Sequence, residues 1–121
     1  MTNRLSTQVI DEELLSGYLD NLTRDIVIQM IALYSQQSII YLADIEKAAL
    51  DESNSDWHQH CHKMKGAAAS AGLKELHGKL VGVEHSISQY DEKKKIIHEL
   101  NVLNKQGIQT VEDWLTQQGT R

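Results

Sequence analysis

Between Thr23 and Asp51 the sequence leaves room for little but one long helix. Val27, Ile31, Tyr34, Ser38, Tyr41, Leu42, Ile45 and Ala49 fall on one side of it, mostly three or four residues apart. Thr23 supplies an N-cap hydroxyl, so the helix is predicted over about Arg24 to Leu50. A second stripe, Ile26, Met30 and Leu33, occupies only its first half. A helix apolar on two sides at one end needs cover there, and a shorter preceding helix is the expected cover. No proline and no phenylalanine occur anywhere in the chain. Nor do β-branched residues alternate with polar ones, which favours helix throughout.

The other elements follow from similar patterns. Residues 1–8 are polar and are expected to fray. Asp11 can cap a short first helix carrying Ile10, Leu14, Leu15, Tyr18, Leu19 and Leu22. Residues 51–55 read as a loop, Ser55 or Asp56 as the next cap, and Gly72 as the stop of a helix over about 55–71. Leu73 opens a fourth helix with Leu76, Leu80, Val83 and Ile87, and Tyr90-Asp91 marks a break. A fifth helix carries Ile96, Ile97, Leu100, Leu103, Ile108, Val111 and Leu115, with a bend expected near Asn104 and Gly107. Short connections force neighbouring helices to run antiparallel. The expected fold is all-α: an antiparallel up-down-up-down four-helix bundle with a short additional N-terminal helix, one domain over residues 1–121.

Composition excludes several function classes. The chain has 121 residues and a formal net charge of -5, enough for one core and too acidic for nucleic acid. Lys93-Lys94-Lys95 is the only cationic run and reads as a solvated helix start. The lone cysteine, Cys61, cannot form an internal disulfide and sits on an apolar stripe, so packing is its expected role. No stretch reads as a signal peptide or as a membrane span.

The third helix carries the candidate chemistry. Trp57, Cys61, Met64, Ala68 and Ala71 form one apolar stripe, and His58, His62, Lys65, Gly66 and Ala69 form a second. That second stripe is unusual for a solvated face. It centres on an imidazole, a nitrogen nucleophile that is largely neutral near pH 7. Lys65, at i+3, can neutralise an anion on that ring. Gly66, at i+4, costs a helix interior about 1 kcal/mol, and access for another protein is a use that offsets it. Ala69 extends the open surface, while Ala68 and Ala71 are assigned to packing inside the bundle.

His62-Lys63-Met64-Lys65-Gly66, followed by Ala67-Ala68-Ala69-Ser70-Ala71-Gly72-Leu73, resembles the active helix of histidine-containing phosphotransfer (HPt) domains. The family pattern is His-x-x-Lys-Gly, then small residues, then a glycine-hydrophobic step. The motif covers a small part of the chain; length and helix order extend the likeness to nearly all of it. The resemblance implies a phosphorelay intermediate, similar to the C-terminal HPt domains of bacterial hybrid sensor kinases. His62 would accept a phosphoryl group from a receiver-domain aspartate and pass it to another. Lys65 would stabilise the phosphate; Gly66, Ala69 and His58 would border the partner. No cofactor of its own is implied, Mg²⁺ being held by the partner's carboxylates. No ATP-dependent kinase activity, a monomer, and a cytoplasmic location, alone or at the cytoplasmic end of a membrane-bound kinase, complete the expectation.

One position departs from the family. A polar residue, often glutamine, lies near the phosphate on the following helix, and the matching position here is Glu84. A carboxylate repels a phosphoryl group. A side chain turned outward, or faster onward transfer, would each accommodate it. Three rival readings are weaker. A metal module would need more than His58 and His62, since His60 and Cys61 point elsewhere on the helix. The dimerisation domain of a histidine kinase typically has an acidic residue after its histidine and a proline nearby; here Lys63 follows His62. A plain helical interaction bundle is opposed only by the motif.

Overall fold

The computed structural model describes residues 5–119. Six helices run in order: α1 (Ser6–Val9), α2 (Glu12–Asn21), α3 (Arg24–Leu50), α4 (Asn54–Ser70), α5 (Lys74–Val83) and α6 (Tyr90–Gly119). No strand occurs among the described residues. Helices α3 to α6 form the bundle: α3 packs on α4 and α6, and α5 closes the ring between α4 and α6. The expected all-α four-helix bundle with a short N-terminal extension is what the chain forms. The extension has two pieces rather than one. Ser6–Val9 is a helical turn where fraying was expected, and Val9 and Ile10 are buried; residues 1–4 lie outside the described residues.

Caps set most of the boundaries. The Asp11 carboxylate accepts from the Leu14 amide and the Thr23 hydroxyl from the Ile26 amide. Ser53, not Ser55 or Asp56, caps α4 by accepting from the Asp56 amide. Gly72 ends α4 in the left-handed region at φ +80°, a conformation that favours glycine. Its carbonyl accepts from the Asp11 amide at 2.8 Å, and the Tyr18 hydroxyl donates to the Ser70 carbonyl at 2.7 Å. These bonds dock α2 on the C-terminal end of α4. α2 touches α3 as well but leaves Ile26 and Leu33 of its second stripe exposed.

Val27, Ile31, Tyr34, Leu42 and Ile45 of α3 meet Trp57, Cys61, Met64 and Ala68 of α4, Leu76 and Leu80 of α5, and Leu100, Val111 and Leu115 of α6 in one core. A polar cluster lies inside it. The Tyr34 hydroxyl donates to Asn104 Oδ1 at 2.7 Å, and Asn104 Nδ2 donates to Ser38 Oγ at 2.9 Å. Each buried group is thereby satisfied. Asn104 is a tie between α3 and α6 and not a hinge, and α6 is a single helix from 90 to 119. Gly107 serves close approach: a Cβ there would lie 2.9 Å from Leu73 Cγ and Cδ2.

Other expectations are corrected. Helix α5 stops at Val83, so Ile87 lies in the connection and is exposed, and the break falls at 84–89 rather than at Tyr90-Asp91. Lys93 is not solvated. It is buried, with its ammonium 4.9 Å from the Trp57 ring centroid and hydrogen-bonded to Asn54 Oδ1. Finally, α3 is long and apolar enough by length and composition to cross a membrane. Its buried Tyr34, Ser38 and Asn104 contacts are those of a bundle helix.

Candidate functional site

Helix α4 is the central strip of the site because its two faces are so different. Trp57, Cys61, Met64 and Ala68 are fully buried, and this fixes the rotation of the helix. His62, Gly66 and Ala69 are then forced outward and are exposed, while His58 and Lys65 are half-buried. The Cys61 thiol is pushed up to about 12, chiefly by burial and further by the charge of Glu84. Ala68 and Ala71 are buried, in keeping with their packing role. No heavy atom lies within 4 Å of the position a Gly66 Cβ would take, so the surface there is open.

The second wall comes from the end of α5. The Trp57 indole N–H donates to the Val83 carbonyl at 2.9 Å and pins that end against α4. The next residue, Glu84, is the C-cap, and its side chain turns inward. An outward Glu84 is thus excluded: its side chain is only 5% exposed. Lys65 Nζ donates to Glu84 Oε2 at 2.6 Å, and His62 Nδ1 lies 3.2 Å from Oε1. His58 Nδ1 is 3.7 Å from the same Oε1 and 3.3 Å from the Glu84 carbonyl oxygen. One carboxylate thereby joins His58, His62 and Lys65.

The electrostatics follow from this sharing. The Lys65 ammonium holds the Glu84 carboxyl below its usual range, against the opposing effect of burial and with a further push from His62. The carboxylate is covered by its own partners at the rim of the bundle rather than sunk in the core. A carboxylate only accepts, so the His62 contact is made with the proton on Nδ1. That tautomer leaves the lone pair on Nε2, and the imidazole is 64% exposed. A nucleophilic nitrogen with its opposite N–H on a carboxylate and an ammonium nearby is suited to accept an electrophilic phosphorus.

Sequence reasoning missed two participants. His85, which follows Glu84, stacks on His58 with centroids 4.4 Å apart. Lys93 supports Trp57 from beneath. Neither carries a pattern in the sequence; both depend on where α5 ends and α6 begins.

No protein-family model matches the sequence, and no curated protein matches it. Among solved structures, the histidine-containing phosphotransfer domain of ArcB from Escherichia coli is similar, with a TM-score of 0.81 and 19% sequence identity, over 93% of this chain and 97% of that one. The chain has the fold of a histidine-containing phosphotransfer domain.

Proposed function

We propose that residues 1–121 form one HPt module in which His62 is the phosphoryl acceptor. In the proposed step, His62 Nε2 attacks the phosphorus of an aspartyl phosphate on a receiver domain. An N–P bond forms, the acyl P–O bond breaks, and the aspartate leaves as a carboxylate. The Nδ1 proton stays on the ring, facing Glu84. A second receiver then takes the phosphoryl group by the reverse chemistry. Such transfer rests on positioning and charge stabilisation, which an ammonium and an open surface can supply.

The observation that carries this reading is the placement of His62: an exposed imidazole with its Nδ1 3.2 Å from a buried carboxylate, on the helix that bears Lys65. Lys65 is assigned to the phosphate oxygens once the ring is loaded, exchanging Glu84 for them. Gly66, Ala69 and His58 are assigned to the receiver contact, with Glu84 at its edge. Mg²⁺ belongs to the receiver. The module is a phosphocarrier with no kinase activity, acting as a cytoplasmic monomer, alone or as part of a hybrid sensor kinase.

The test is His62→Gln. The variant folds, as judged by its helical circular dichroism, and accepts no phosphoryl group from a phosphorylated receiver. Labelling equal to wild type would remove His62 from the assignment.

A further inference from the structure

We infer that His58, Glu84 and His85 form a site for a zinc-class divalent cation beside the acceptor histidine. One donor atom from each of the three lies within 4.8 Å of the others. They come from two elements, α4 and the end of α5, so sequence spacing alone does not bring them together.

The donors suit the ion. Two imidazoles and one carboxylate match borderline cations such as zinc, whereas Mg²⁺ and Ca²⁺ prefer all-oxygen sets. Metal–donor bonds of about 2.0–2.2 Å put tetrahedral donors about 3.4 Å apart. The donors therefore need to close by at most about 1.4 Å. His85 is exposed and His58 half-buried, so both rings can rotate to do so. Glu84 needs no such movement. Lys65 holds Oε2 at 2.6 Å, which leaves Oε1, 3.7 Å from His58 Nδ1, as the oxygen free for an ion. An anchored ligand of this kind is what outer partners provide in metal sites. Three ligands leave a fourth position for water.

Occupancy would have a consequence that rests on the proposed relay function. The cation would sit on Oε1, the atom 3.2 Å from His62 Nδ1, and would take that acceptor from the ring. Phosphoryl acceptance would then slow.

The test is isothermal titration calorimetry of the whole, unphosphorylated chain with zinc chloride, and with magnesium chloride as the control. The expected result is one zinc per chain at a micromolar dissociation constant or tighter, and no magnesium heat. Binding should weaken at least about tenfold in His85→Ala and in His58→Ala, each checked for folding by circular dichroism. Zinc affinity unchanged in His85→Ala would place the ion on other surface histidines and overturn the site, as would the absence of zinc binding. A relay assay with and without zinc is read as a ratio within each protein. Loss of all transfer without zinc would defeat the relay reading and leave the calorimetric result to decide the metal site.

Discussion

Lys65 and Glu84 form an ion pair of 2.6 Å at the rim of the bundle, and the same carboxylate faces the ring of His62. The cation expected to meet a phosphoryl group is therefore already engaged in the unmodified protein. In the proposed relay, phosphorylation of His62 would exchange one anion for another at Lys65. A carboxylate in this place also prevents the ammonium from wandering into solvent, so Lys65 is preorganised beside the ring.

Lys65→Ala should slow phosphoryl transfer or shorten the life of the phosphorylated form. It should also cost about 1 kcal/mol of stability, because Glu84 loses its partner but water can reach the rim. A core position would cost several times more. Stopped-flow transfer assays and urea unfolding read the two effects separately. Wild-type transfer rate and phosphoprotein lifetime in this variant would remove Lys65 from the site.

Gly66 separates access from folding. Its Cβ position is open, so Gly66→Ala should raise stability by about 0.5–1 kcal/mol through helix propensity alone. Gly66→Leu should stay folded and yet relay at least about tenfold slower, an increase of about 1.4 kcal/mol in the barrier. Full-speed relay by a folded Gly66→Leu protein would contradict the access argument.

Two other glycines should behave in the opposite way. Gly72 has a φ of +80°, and a Cβ there would lie 3.0 Å from Leu15 Cγ. Gly107 would place a Cβ 2.9 Å from the buried Leu73 side chain. Gly72→Ala and Gly107→Ala should each destabilise the fold by about 1–3 kcal/mol, the Gly107 value being reduced by the gain in helix propensity. Denaturant midpoints measure this directly; unchanged midpoints would mean that the α2–α4 and α5–α6 contacts are looser than described.

Cys61 should be inert in the native protein. Burial pushes its thiol up to about 12, so almost no thiolate forms at pH 8. A thiol-disulfide colour reagent should react only after denaturation. The raised value also fixes a sign: the unfolded thiol ionises first, so stability contributed by the neutral thiol is present below about pH 8.5 and is lost as pH rises towards 12. Rapid stoichiometric reaction of the native chain would contradict the burial.

Much of the fold was legible because helical periodicity and capping point the same way. Thr23 and the stripe from Val27 to Ala49 define α3, and Gly72 ends α4 where expected. The misreadings have physical causes. Ile87 continues the spacing of Leu80 and Val83, yet the chain has already left the helix, and one exposed isoleucine costs too little to prevent it. Ile26 and Leu33 look like a stripe in need of cover, but exposed apolar residues are ordinary on protein surfaces. Lys93 resembles its neighbours Lys94 and Lys95, and only the tertiary position of Trp57 and Asn54 buries it. At the site, the faces of α4 were readable from spacing. The inward turn of Glu84 was not, because it depends on the bond from Trp57 to the Val83 carbonyl.

The central claim is that His62 carries a phosphoryl group on nitrogen. The direct measurement is incubation of the chain with a radiolabelled phosphorylated receiver domain, followed by treatment of the labelled chain with acid and with base. The expected label is lost in acid, survives base and is absent from His62→Gln. A label that survives acid, or one retained in His62→Gln, would contradict it, as would a folded chain that takes no label from a panel of receivers.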